Sequence, residues 1–93
     1  MRSLRLLHHL FILFSSMVFE KMQDIFSGVL GVPSSDIKLE TSPENTPSWD
    51  SLNAIVLITE IEKAFNIRFT YDEAMAVKNV GDGVALVEQK LRA

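Results

Sequence analysis

Three segments of the chain carry apolar residues at steps of three and four, and no segment alternates strictly between apolar and polar side chains. They cover residues 18–30, 51–65 and 80–91. Steps of three and four place side chains on one face of an α-helix, whereas strict alternation would indicate a β-strand. The sequence therefore predicts an all-α fold whose helices bury their apolar faces against one another.

Glycine and proline residues separate the first two of these apolar segments. Gly31 and Pro33 end the first helix, because glycine suits the left-handed closing position and proline cannot continue a helix. The connection that follows, residues 31–49, is longer than most connections in compact domains, which rarely exceed about 12–15 residues. We expect Ile37 and Leu39 to anchor it to the core.

The chain between the second and third apolar segments is predicted to form one short helix, at residues 71–76. Asn79 can cap the last helix while Asp82 reaches back in a capping-box-like arrangement. Gly81 and Gly83 each weaken that first turn by about 0.5–1 kcal/mol relative to alanine, so we expect it to be mobile. The predicted fold is a small four-helix bundle with three main helices, one short helix and a long first loop.

Residues 1–16 differ from the rest of the chain, since they contain Arg2 and Arg5 and no acid. Their apolar run resembles a secretory signal but lacks a cleavage site, and it is shorter than the about 20 residues needed to span a bilayer. We expect an N-terminal basic and apolar extension outside the fold, with the domain at residues 17–93. An export signal or a membrane-surface segment is the alternative.

Composition excludes several kinds of function. A chain of 93 residues that is 47% hydrophobic and 23% charged suits one small globular domain. It has no cysteine, and its two histidines, His8 and His9, are adjacent without spaced acidic partners, so neither a disulfide nor a metal site is expected. Apart from Arg2 and Arg5, all lysines and arginines, seven in number, and all twelve acidic side chains lie in residues 17–93, which therefore carry a net negative charge. That acidity argues against nucleic acid and favours basic protein partners.

The tripeptide Asp50-Ser51-Leu52 lies where the loop meets the second helix. Asp50 is a good acceptor for the first free amides, which places Ser51 in the first turn, exposed beside the positive helix end. No general base is evident nearby, and no G-x-S-x-G elbow surrounds the serine. The serine is therefore predicted to belong to a plain capping region, to be a phosphorylation-type acceptor or to be the attachment site of a prosthetic group, and not to be a catalytic nucleophile.

The second helix has more apolar surface than one buried stripe requires. Its apolar residues form two series on different faces of the helix. One series can pack inward, and the other can contact a partner, line a cavity or be buried if the helix is central. The inward series is Ala54, Leu57, Ile58, Ile61 and Phe65, and the second series is Leu52, Ile55, Val56 and Thr59.

This arrangement resembles an acyl carrier protein over residues 18–91. The resemblance is carried by Trp49-Asp50-Ser51-Leu52, then Ile55, Leu57, Ile58, Ile61, Glu62 and Phe65, then Ile67-Arg68-Phe69, Asp72-Glu73-Ala74 and Asn79-Val80. It implies a non-catalytic, cytoplasmic carrier, and a lone compact domain with a coherent core is expected to be monomeric. Ser51 would receive 4′-phosphopantetheine from coenzyme A through a phosphopantetheinyl transferase, and the arm would carry acyl groups as thioesters between acyl-loading and acyl-transferring enzymes.

The resemblance also implies roles for the neighbours of Ser51. Asp50 would orient the loop, and Leu52 would offer an apolar contact beside the phosphate. The remaining roles fall on the second helix: Ile55, Val56 and Thr59 would face partner enzymes, while Leu57, Ile58, Ile61 and Phe65 would occupy core or acyl-cavity positions.

Some positions depart from the family pattern. Fatty-acid-synthesis carriers usually have Gly-Ala before the Asp-Ser-Leu motif, whereas this chain has Ser48-Trp49, with Trp49 expected to pack under the loop. Asn53, Val56 and Lys63 stand where acids are common, which predicts weaker attraction to basic enzyme surfaces. The chain is thus similar to specialised free-standing carriers of fatty-acid-like, polyketide-like or other acyl biosynthesis. A peptidyl or aminoacyl carrier and an unmodified helical interaction module are the alternatives.

Overall fold

A computed structural model describes the backbone of residues 2–92 and the side chains of residues 13–92. Within these residues the chain forms helices and loops and no β-strand, which confirms the all-α prediction. The helices are α1 (Arg2–Leu30), α2 (Ser51–Phe65), α3 (Tyr71–Met75) and α4 (Val80–Arg92), with a 3-10 turn at Ser34–Asp36.

Helix α1 runs antiparallel to α2 and α4. At one end of α2, the Lys21 ammonium lies 5.7 Å from the centre of the Phe65 ring. At the other end, the ring of Phe26 meets that of Trp49, the residue two positions before α2, with centroids 5.0 Å apart. Glu88 of α4 accepts a hydrogen bond from Ser15 of α1. Gly83, which is nearer the start of α4, packs against Met22, which lies further along α1.

The core lies where these three helices meet the long loop. Every fourth residue of α1 from Val18 contributes to it, as the amphipathic pattern predicts. The loop adds Ile37, which is fully buried, and Trp49. The buried hydrophobic side chains are Val18, Met22, Phe26, Leu30, Ile37, Trp49, Leu57, Ile61, Val80, Val84 and Val87.

Helix α1 begins well before the predicted start of the first helix. It starts at Arg2 instead of residue 18, because no glycine or proline interrupts the chain until Gly28. Phe14 packs against the core and Ser15 Oγ donates a hydrogen bond to Glu88 Oε2 at 3.1 Å. These contacts lie on the extension side of the predicted boundary between residues 16 and 17. The side chains of residues 1–12 lie outside the described part of the chain, and the division into extension and domain stays a prediction.

The long loop is fastened at several points, though not by all of the predicted anchors. Ile37 is buried as expected, but Leu39 is 47% exposed, so its predicted role as a core anchor is wrong. Leu39 contributes through its carbonyl group, which accepts a hydrogen bond from the Gly81 amide at 2.9 Å. The Thr41 carbonyl accepts another from the Val80 amide at 2.9 Å. The loop thus satisfies the first amides of α4.

Two apolar residues near the end of α2 should differ in their effect on stability. Ile61 is 2% exposed, whereas Phe65 packs against the edge of the core and is half-buried. Ile61→Ala is therefore expected to lower the free energy of unfolding by about 2–5 kcal/mol, and Phe65→Ala by clearly less. Urea denaturation followed by circular dichroism measures both. Equal losses would contradict this placement of the core.

Candidate phosphopantetheine site

Ser51 is the first residue of α2, and its side chain is exposed. Asp50 is the N-cap, with extended backbone, and its Oδ1 accepts a hydrogen bond from the Asn53 amide at 2.9 Å. Caps of this kind stabilise a helix start by about 1 kcal/mol. The prediction that Asp50 caps the helix and Ser51 opens it is confirmed.

The chain on either side of Ser51 is held in place. Asn53 Nδ2 donates a hydrogen bond to the Ser48 carbonyl at 2.8 Å, which ties the end of the loop to the first turn of α2. Trp49 is 7% exposed and packs edge-on against Phe26, as expected of an anchor under the loop. The Asn53 contact has no signature in the sequence, where Asn53 is notable only because it stands at a position where acids are common. The serine is thus exposed while its backbone is fixed.

An apolar cleft of about 470 Å³ opens beside the serine, between α2 and α3. Ile58 lies in its wall, in keeping with its predicted acyl-cavity position. Tyr71 and Met75 of α3 also line the cleft, although the sequence predicts no role in the site for α3. The full lining is Ser51, Ala54, Ile55, Ile58, Thr59, Tyr71, Ala74 and Met75.

The other predicted positions on α2 divide between the core and the surface. Leu57 and Ile61 are buried in the core and do not line this cleft, and Phe65 packs at the core edge. The second apolar series is exposed, and Leu52 is 71% exposed directly after the serine. Exposed with it are Ile55, Val56 and Thr59, with the Thr59 hydroxyl donating to the Ile55 carbonyl at 3.0 Å.

Helix α3, which forms one wall of the cleft, is fastened mainly through Glu73. A capping box joins Thr70 and Glu73, each side chain accepting from the other's amide. Glu73 Oε1 also pairs with the Lys90 ammonium of α4 at 2.8 Å. The hydrogen bond from Lys90, followed by the one from the Thr70 amide, holds the pKa of Glu73 below its ordinary value of 4.5.

The lowered pKa predicts a pH dependence. Because the unfolded carboxyl titrates at its ordinary value, the stabilising contribution of Glu73 is fully present above pH 4.5 and is lost as the pH falls through the lower folded pKa. Glu73→Gln keeps a capping acceptor and removes the charge. We expect it to lower the urea midpoint modestly at neutral pH, because both partners are partly exposed, and we expect its difference from the wild type to shrink as the pH falls below 4.5. A difference that persisted undiminished in acid would exclude the ion pair as its cause.

Two further observations concern the part of the chain that the structure describes. No group of three histidine, cysteine, aspartate or glutamate side chains there could hold a metal ion. No helix there is both long and apolar enough to cross a membrane.

Known proteins resemble this chain over most of its length. Residues 20–87 match the family described as "Phosphopantetheine attachment site". The acyl carrier protein of Clostridium acetobutylicum is 39% identical over 72 residues, which is 77% of this chain and 94% of that protein. The acyl carrier protein of Streptococcus pyogenes serotype M1 is 41% identical over 73 residues, 78% of this chain and 95% of that protein.

A solved structure agrees with these sequence matches. The solution structure of the holo acyl carrier protein from Geobacter metallireducens superposes with a TM-score of 0.73 at 35% identity, covering 81% of this chain and 86% of that one. Residues 20–87, the region that matches the family, contain α2 and α3 entirely, and with them Ser51 and its cleft.

The family match and the fold agree on the class of protein. The chain belongs to the acyl carrier protein family, whose members bear a phosphopantetheine attachment site. Its prosthetic group is 4′-phosphopantetheine, and it is a non-catalytic carrier. The residues fit that group, because an exposed hydroxyl on a fixed backbone opens beside an apolar cleft.

Proposed function

We propose that Ser51 is the attachment residue and that the chain carries acyl intermediates from enzyme to enzyme. The observation that carries this proposal is the position of Ser51, exposed at the first residue of α2 and bordering the apolar cleft. An exposed hydroxyl can enter the active site of another enzyme, and a fixed backbone presents it in one orientation.

Attachment would be the work of a separate phosphopantetheinyl transferase. The Ser51 Oγ forms a bond to the β-phosphorus of coenzyme A, the bond from that phosphorus to adenosine 3′,5′-bisphosphate breaks, and a base of the transferase takes the serine proton. The positive end of α2 favours the resulting phosphodiester by about 0.3–1 kcal/mol. Once attached, the group supplies a thiol that carries acyl chains as thioesters.

The residues around Ser51 support the predicted division of roles. Asp50 fixes the first turn through the Asn53 amide, and Leu52 offers an apolar contact next to the serine. The apolar lining of the cleft suits the hydrocarbon part of an acyl group. The exposed surface of Ile55, Val56 and Thr59 is our candidate for partner contact.

Helix α2 is less acidic than its counterpart in fatty-acid-synthesis carriers, because Asn53, Val56 and Lys63 stand where acids are usual in those proteins. We therefore propose a specialised carrier that serves a dedicated set of acyl-loading and acyl-transferring enzymes. The proposal includes a monomeric state, which is expected of a lone compact domain, and a cytoplasmic location.

The test is the intact mass of the full chain after incubation with coenzyme A, magnesium and a broad-specificity phosphopantetheinyl transferase, with a known acyl carrier protein treated in parallel. We expect one added 4′-phosphopantetheine, located by peptide mapping at Ser51. An adduct at another serine, such as Ser48, would overturn the assignment. A folded chain that stays unmodified while the known carrier is modified would favour the unmodified helical module.

A further inference from the structure

The N-terminal segment, residues 2–17, has no role in the carrier site, yet it is helical and continuous with α1. Phe14, within it, packs on the core, so the helix is fixed to the bundle at that point. Leu13 and Met17, one helical turn apart, are 46% and 68% exposed. Two large apolar side chains thus form an uncovered face of α1 beside the face that is buried.

The sequence extends that face toward the N-terminus. Residues 6, 10, 13 and 17 are all apolar and are spaced by four, three and four, so they share one helical face. The polar residues Arg2, Arg5, His9 and Ser16 are spaced to fall together on another face. No acid occurs before Glu20. An amphipathic helix with a basic polar face and a leucine-rich apolar face is typical of segments that lie in a membrane interface.

We propose that the N-terminal segment binds the surface of an anionic lipid bilayer, with its apolar face at the boundary between headgroups and acyl chains. Charge favours this occupant over a second copy of the chain. If two copies paired through this face, the arginines of both segments would lie close together, and neither segment has an acid to pair with them. An anionic bilayer supplies negative charge for the arginines and a hydrocarbon layer for the apolar side chains. The acidic remainder of the chain is repelled by the same surface.

The geometry leaves the carrier site free when the segment is bound. The segment leaves the bundle at the end where Ser15 meets Glu88 and Lys21 meets Phe65. Ser51 lies at the opposite end, next to the contact between Phe26 and Trp49. At 1.5 Å per residue, the 11 residues from Ser15 to Phe26 separate the two ends by about 16 Å along α1. In a bound carrier, Ser51 would therefore lie near the end of α1 that is remote from the lipid-binding segment.

Vesicle cosedimentation with the full chain tests the proposal. We expect binding to vesicles of equal parts phosphatidylcholine and phosphatidylglycerol, weak binding to phosphatidylcholine alone, and loss of binding at high salt. A basic residue near such a surface contributes about 1 kcal/mol, or about fivefold, so Arg2→Gln with Arg5→Gln should weaken binding about 25-fold. Leu13→Ser with Met17→Ser should weaken it more than about tenfold.

A matched control removes the same charge from another part of the surface. Lys38→Gln with Lys78→Gln, two exposed lysines outside α1, should leave binding unchanged, and circular dichroism should show that every variant is folded. Equal binding by wild type and both segment variants, or no anionic preference, would overturn the proposal. Self-association that the segment variants abolish, without vesicle binding, would assign the face to a second copy. Ser51→Ala should bind vesicles like the wild type, so this test and that of the attachment site can fail independently.

Discussion

Phe26→Ala is expected to lower the free energy of unfolding by about 3–5 kcal/mol. Phe26 is 1% exposed and lies edge-on to Trp49, with centroids 5.0 Å apart. Its loss would leave a cavity under the end of the loop and remove an aromatic pair that stabilises by about 0.5–1.5 kcal/mol beyond its burial. Urea denaturation followed by far-UV circular dichroism measures the loss. Small domains are stable by only about 5–15 kcal/mol, so the variant should be only marginally folded.

Phe19 provides a matched control for Phe26 on the same helix. It packs against the core but is only partly buried. Phe19→Ala should therefore cost clearly less than Phe26→Ala, and the fluorescence of Trp49 should change only when Phe26 is replaced. Similar losses at the two positions, with equal changes in fluorescence, would contradict the placement of Phe26 beneath the loop.

Ser51→Ala is expected to abolish attachment of 4′-phosphopantetheine and to leave the fold intact. The mutation removes the only oxygen that this position offers for a phosphodiester. The Asp50 side chain still accepts from the Asn53 amide, and the Ser51 side chain is exposed, so the stability should change by no more than about 0.5 kcal/mol. Intact mass after treatment with the transferase, together with the urea midpoint, measures both effects.

Ser48→Ala is the matched control for Ser51→Ala. Ser48 lies three residues upstream, in the loop before α2, and its carbonyl, which the mutation preserves, accepts a hydrogen bond from Asn53. This variant should gain the full mass of the prosthetic group. Retention of the adduct by a folded Ser51→Ala chain would refute the assignment of the attachment residue.

Helix bounds were predictable where local chemistry decides them. Helix α2 occupies the predicted residues 51–65, because Asp50 caps its start and Asn66 closes it in the left-handed region, at φ 54°. Helix α1 was predicted to start too late. Its N-terminal part has a different composition from the rest, but a change in composition does not end a helix when no breaker residue is present.

The glycines of α4 show where tertiary contacts override local propensity. Gly81 and Gly83 predicted a mobile first turn. Instead, Gly83 is buried so closely against α1 that an added Cβ would lie 3.0 Å from Met22 Cε. The Gly81 amide is bonded to the loop at Leu39. The small side chain thus allows close packing, which a single sequence cannot show.

The candidate site was predictable only in part for the same reason. The motif around Ser51 and the Asp50 cap depend on neighbours in sequence. The cleft depends on α3, whose Tyr71 and Met75 line it only because the bundle brings α3 beside α2. The ion pair of Glu73 with Lys90, 17 residues apart in sequence, likewise has no local signature.

The hydrogen bonds from the start of α4 to the long loop have a consequence for local unfolding. Because the Val80 and Gly81 amides bond to carbonyls of Thr41 and Leu39, the loop cannot separate from α4 without exposing unpaired backbone groups. Loop and helix should therefore open as one cooperative unit and share one protection from hydrogen exchange. Helix α3, five residues long with no buried side chain, should open at a lower free energy. The cleft can then widen on the α3 side while the loop that presents Ser51 keeps its shape.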